Sequence, residues 1–323
     1  MKIFLRASLT IAAGMALAVP ANAGKLSTAT IGLFPKDVGE FAYADLKSAR
    51  QHKWFAQLKD QMLPSRFRDF ERFLASAGAD PNTQVDELAW AATLPSKDAG
   101  DMIIGVALGQ FRPEATAQFF QQQKLPTVQS KGYTLYAFGT GSGPGDLLFF
   151  FIDANTAAFG HREALEKLIE VREGAAESLL RNDELFPLID EANGRGLVWA
   201  VLGEGYTRMA VQQLAPEAVQ FPEATKLVAR MKAMLLEVQA DRGVDTRFQL
   251  VCATPEDANL FAAILDAGLL YRRMQEKQSN PDLAKTLEDA RVAPRGDRLE
   301  LKLPMSEDTL KALLQRNTFA VKL

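Results

Sequence analysis

The stretch "GDLLFFFIDANTAAFGHREAL", Gly145 to Leu165, sets six consecutive large apolar residues ahead of a turn, a short second strand and a helix start. Whatever covers Leu147 to Ile152 decides the fold. A strand with one wet face alternates apolar and polar residues, and this one does not. Leu147, Phe149 and Phe151 point one way, Leu148, Phe150 and Ile152 the other, so both faces need dry cover. Six residues cannot cross a bilayer as a helix and fall short of the ~9–11 of a barrel strand. The stretch therefore predicts a central strand between helices and a further layer. The sharper alternative is a concave apolar surface for a lipid, a hydrophobic peptide or a protein partner, lined by Tyr136, Phe138, Phe149 and Phe151.

Elsewhere the alternation is regular. In "VDTRFQLVCA" the residues Val244, Phe248, Leu250 and Cys252 share one face, with Asp245, Arg247 and Gln249 on the other. "RLELKL" turns Leu299, Leu301 and Leu303 inward, and Met234 to Ala253 reads as a hairpin around "DRGVD". Helical stripes are as legible: Phe67, Phe70, Phe73 and Leu74 ending at Gly78, and Ala164, Leu165, Leu168 and Ile169 after His161. "PEDANLFAAILDAGLLYRRM", Pro255 to Met274, is apolar nearly all round, which predicts burial between layers.

The order of these elements repeats. Strand, helices, hairpin, helix and strand run from Val38 to "GYTLYAF", and again from "RGLVWAVLG" to "DRLELKL". "FRPEA" and "ATPEDA" match at the hairpin-to-helix junction, each with Pro early in the helix and an acid in its first turn. The expected fold is α+β: two related β-α-β-β-α-β modules of the ferredoxin-like split kind, with antiparallel sheets covered by helices. The boundaries expected are a signal peptide at 1–23, a first module at 24–144, an additional hairpin, helix and connection at 145–194, and a second module at 195–323.

The N-terminus reads as a secretory signal. Lys2 and Arg6 precede an apolar run from Ala7 to Val19, and "PANAG" offers small residues for cleavage after Ala23. Export to the periplasm or beyond is the expectation. Removing Lys2 and Arg6 takes the net charge from −3 to −5, which gives no footprint for nucleic acid or an anionic membrane. Cys252 is the only cysteine, so no intrachain disulfide forms and stability rests on a core. No other run reaches membrane-spanning length, so no transmembrane segment is expected after cleavage.

Chemistry-bearing patterns are sparse. The two histidines, His52 and His161, do not sit at ligand spacing, and no metal or cofactor is expected. "GEGYTR" (Gly203 to Arg208) follows a strand but has Arg208 where a dinucleotide loop needs glycine. "GTGSGPGD" (Gly139 to Asp146) lacks the Gly-Lys-Ser/Thr ending of a phosphate cradle. "DPNTQVDE" (Asp80 to Glu87) opens like a calcium loop, yet Val85 and Ala91 occupy the glycine and glutamate positions. No pair of acids stands out for acid-base work, and no catalytic residue is nominated.

The run Asp153, Thr156, Gly160 and a helix from His161 resembles a strand-turn-strand-helix segment of uncharacterised secreted bacterial proteins. "LFPKDVGEFAYADL" (Leu33 to Leu46) carries a similar likeness. The resemblance implies extracytoplasmic placement and α+β architecture, and no site. The functional expectation is a non-enzymatic periplasmic binding or interaction protein with an unknown protein or hydrophobic ligand as partner. A carrier of a lipid or other hydrophobic ligand, and a hydrolase whose groups meet only in three dimensions, are the alternatives.

Overall fold

The computed structural model describes residues 24–93, 102–143, 145–214, 226–240 and 243–320, so the expected signal peptide lies outside the described residues. Along the chain run α1 (Thr28–Ile31), β1 (Glu40–Asp45), α2 (Leu46–Ala49), α3 (Phe55–Met62), α4 (Ser65–Ser76), α5 (Pro81–Gln84), β2 (Val85–Thr93) and β3 (Met102–Gly109). Next come α6 (Pro113–Gln123), β4 (Thr127–Ser130), β5 (Tyr133–Phe138), β6 (Leu147–Phe151), β7 (Thr156–Gly160), α7 (Arg162–Arg172) and α8 (Phe186–Ala192). β8 (Val198–Leu202), α9 (Glu204–Leu214), β9 (Met231–Ala240), β10 (Gly243–Cys252) and α10 (Pro255–Ser279) follow. α11 (Pro281–Asp289), β11 (Arg291–Arg295), β12 (Arg298–Ser306) and α12 (Glu307–Gln315) complete the described chain.

Contacts divide the molecule into two compact units. The first holds residues 26–47 and 63–187, the second 48–62 and 188 onward. Strands of the first pair in the order β1-β2-β3-β7-β6-β5-β4, those of the second in the order β8-β9-β10-β12-β11. Every described strand pair within each unit is antiparallel. The α+β class with antiparallel sheets holds.

The strand order differs from a split β-α-β arrangement. There, the strands flanking a helix run parallel with another strand between them. Here β1 and β2 are adjacent and antiparallel, Glu40 opposite Ala92, and β8 lies against β9 in the same way, Val198 opposite Val238. The unit boundaries also depart from the expected ones. The hairpin β6-β7 is no addition: β7 pairs directly with β3, Ile104 opposite Gly160, and α7 follows it. β12, paired with β10 and followed by α12, takes the same course in the second unit. Thus β1-β2-β3-β7-β6 and β8-β9-β10-β12-β11 follow one topology, and the extra strands of the first unit are β4 and β5.

β6 answers the question its sequence raised. Leu147, Leu148, Phe149 and Phe150 are 1–3% exposed, so both faces are dry. Beyond it, Ile152 and Asp153 N–H groups donate to the Thr156 carbonyl, and Asn155 N–H donates to the Asp153 side chain, closing the turn into β7. Across the β3-β7 pair, Phe159 lies over Gly105, where a Cβ would stand 2.1 Å from the ring. Only glycine leaves that space for the ring.

Candidate interaction surface

The four residues expected to line an apolar surface do come together, but within a packed aromatic layer. Phe149 is 3% exposed; Tyr136, Phe138 and Phe151 are half-buried. Phe138 meets Phe70 and Phe73 of α4 at 5.5 and 5.2 Å between ring centroids. Phe120 of α6 lies 4.7 Å from Tyr136, and Tyr136 lies 5.4 Å from Phe149. These offset and edge-on separations are those of a protein interior. α4 and α6 supply the cover for the Leu147 and Phe149 face of β6.

The exposed apolar surface lies elsewhere, on α10. Thr254 caps the helix: its hydroxyl oxygen accepts from the Asp257 N–H at 3.2 Å and donates to the Asp257 carboxylate at 2.9 Å. Pro255 fits the first turn, and Arg230 pairs with the buried Asp257 carboxylate at 2.9 Å. Asn280 ends α10 and caps α11, accepting from Leu283 N–H. At 25 residues the helix is about 37 Å long. Its inner face, Ala258, Phe261, Ala262 and Leu265, packs with Val228, Met231, Cys252 and Leu299.

The outer face of α10 stays in solvent although it is also apolar. Leu260, Ile264, Leu270, Tyr271 and Met274 are 46%, 50%, 51%, 64% and 68% exposed. This corrects the expectation of burial between layers: one face is covered and the other is not. An all-round apolar pattern specifies burial only when elements pack on both sides, and among the described residues the Leu260 to Met274 row of α10 is left exposed. The topologically equivalent helix of the first unit, α6, exposes Gln118, Gln121, Gln122 and Gln123 instead. The fold position does not by itself demand an apolar outer face.

Charged groups are largely engaged with one another. On the polar face of the second unit's sheet, Arg247 donates to Glu300 at 2.7 Å and to Glu237 at 3.1 Å, both glutamates being under 6% exposed. Burial raises the Glu300 carboxyl, but Arg247 and Lys302 outweigh it and hold it below its usual value. Arg298 grips Glu191 with both terminal nitrogens at 2.8 and 2.9 Å. A cavity of about 710 Å³ in the first unit is lined by pairs already made, Lys36 with Glu177 at 2.9 Å and Lys167 with Asp37 at 2.6 Å.

The remaining reactive types are held in structural roles. Ile103 N–H donates to His161 Nδ1 at 3.0 Å, and burial with the nearby Arg66 lowers the imidazole pKa. His52 is half-buried, 5.8 Å from Trp54 between ring centroids. Cys252 is buried, and burial together with Asp257 and Asp297 pushes its thiol up to about 11. In the glycine-rich loop, the Asp146 carboxylate accepts from the N–H groups of Thr140, Gly141 and Gly143 at 2.8–3.0 Å. An internal acid thus takes the donors that a phosphate would need. Asp80 caps α5 by accepting from Asn82 N–H, which makes that segment a helix start. The residues of "GEGYTR" enter α9, with Thr207 donating to the Leu202 carbonyl.

Asp45 and Glu87 stand opposite each other on β1 and β2. Burial, with the neighbouring acids, raises the Glu87 carboxyl; its oxygen accepts from the buried Tyr43 hydroxyl at 3.0 Å, which works the other way. Among the described residues, no group of three His, Cys, Asp or Glu side chains is placed to hold a metal ion. No helix among the described residues is long and apolar enough to cross a membrane.

In comparison with known proteins, no family model and no curated protein matches the chain. Among solved structures it is similar to crystal form I of TP0453, at 13% identity with a TM-score of 0.49. That similarity covers 90% of this chain and 97% of the other.

Proposed function

We propose that the chain is an exported, non-enzymatic interaction protein that meets an apolar partner surface through the outer face of α10. The observation that carries this reading is the stripe Leu260, Ile264, Tyr271 and Met274 on one exposed face. Single exposed apolar residues are ordinary, but a contiguous row of large ones is favoured only where something covers it. The glutamine-faced α6, at the same place in the other unit, supports treating the row as selected for a purpose outside the unit. Export rests on Lys2, Arg6, the apolar run to Val19 and the small residues before Gly24. The common strand order of the two units favours an internal duplication in which α10 diverged toward docking.

Photo-crosslinking in the producing cells tests this. A photoreactive residue replacing Ile264 is expected to give a discrete adduct that Met274→Glu abolishes, while one replacing Gln118 of α6 gives none. Equal labelling at both positions, or none at Ile264, contradicts the reading.

A further inference from the structure

Resting on that reading, we infer that the occupant of the α10 face is a second copy of the same helix, packed antiparallel. Residues Leu260, Ile264, Ala267, Tyr271 and Met274 recur at spacings of four, three, four and three. That is the seam of a two-helix coiled coil, in which each side chain enters a gap on the facing helix. Four of the five are large and exposed, and Ala267, also exposed, is the small one. Beside it Gly268 has open space where a Cβ would stand. The row thus has one depression, at Ala267 and Gly268, and one bulky ring, at Tyr271, a single turn away.

An antiparallel pair is the arrangement that uses both. With a two-fold axis near Leu269, Tyr271 of each copy enters the depression at Ala267 and Gly268 of the other. Ile264 then lies against Met274. A parallel pair sets ring against ring and leaves the two depressions facing each other, so it packs worse. Charge points the same way. Before the axis α10 carries the exposed acids Glu256 and Asp266, and after it Arg272, Arg273 and Lys277 beside a single acid, Glu276. Antiparallel packing about Leu269 brings Asp266 of each copy level with Arg272 of the other. Parallel packing sets like beside like. The helix dipoles are also opposed in the antiparallel pair.

Sedimentation of the purified chain tests the pairing, with concentration raised from about 1 µM to about 1 mM, the range a single helix-sized contact reaches. The expected result is a concentration-dependent doubling of mass that Ile264→Glu abolishes, while melting of the dilute chain is unchanged. Direction is read with two variants that each add one exposed cysteine, Ile264→Cys and Met274→Cys, the native Cys252 being buried. Mixed under oxidation, they are expected to cross-link to each other at least tenfold more than to themselves. A monomer throughout the range, a dimer that survives Ile264→Glu, or a predominance of like-to-like cross-links overturns the inference. Binding of the monomer to phosphatidylcholine–phosphatidylglycerol vesicles through the same residues overturns the second copy but retains the docking face. An α10 face inert in every assay overturns both.

Discussion

Ile103 donates its backbone N–H to Nδ1 of His161 at 3.0 Å, which ties the end of β7 to β3 and fixes the imidazole as an acceptor. The bond requires a neutral Nδ1. Burial and the positive Arg66 both hold the imidazole below its ordinary 6.5. As pH falls below about 6.5, the unfolded chain takes up a proton that the folded histidine refuses. Its contribution is therefore full above that pH and is lost progressively below it. The Tm is expected to fall between pH 7 and 5, and less so in His161→Asn, which keeps an acceptor and does not titrate. Glu87, raised by burial, works in the opposite sense, so the difference between the two proteins is the quantity to measure. Equal slopes contradict the account.

Phe149 sits between α4 and α6 in the aromatic layer at 3% exposure. Phe149→Asp places an unpaired charge there and is expected to cost about 3 kcal/mol or more. Urea denaturation followed by circular dichroism measures this. A variant as stable as the parent means that the layer is not interior.

How far the sequence foretold these features depends on the range of the interaction involved. The hairpins were legible because alternation is local: Val244 to Cys252 and Arg298 to Leu303 face as their pattern requires. The interior placement of β6 was legible because six apolar residues leave no wet face. The partner of β3 was not, since pairing with β7 joins segments some fifty residues apart and the sequence placed that hairpin outside the first module. The α10 surface was misread for another reason. An all-round apolar helix has no polar side to mark solvent, so composition alone cannot separate a helix buried twice from one that docks. The glutamine-rich outer face of "ATAQFFQQQ", set against the matching helix of the other unit, was the signal available.

Cys252 is expected to be inert in the folded chain. Its thiol, pushed up to about 11, is almost entirely protonated near pH 8, and the side chain is buried. Labelling by a thiol-specific disulfide reagent should follow unfolding, with rates rising in step with denaturant. Rapid stoichiometric labelling of the native protein contradicts this.

Arg247 is the shared partner of Glu237 and Glu300 on the second unit's sheet. Arg247→Met leaves two buried carboxylates without that cation and is expected to cost about 3 kcal/mol at neutral pH. The part of the loss that comes from Glu300 should shrink as pH falls from the normal glutamate range through its lowered folded value, where that carboxylate takes up its proton. Chemical denaturation at pH 7 and pH 4 makes the comparison, and an equal loss at both contradicts the pairing.

The most direct test of the α10 face is the stability and dye binding of a double variant, Ile264→Glu with Met274→Glu, in dilute solution. Because nothing among the described residues covers these side chains, the Tm should stay within the change of about 0.5 kcal/mol typical of surface substitutions, while fluorescence of a hydrophobic dye falls. A loss of about 2 kcal/mol or more, with dye binding undiminished, would make the row part of the chain's own core and contradict its role in docking.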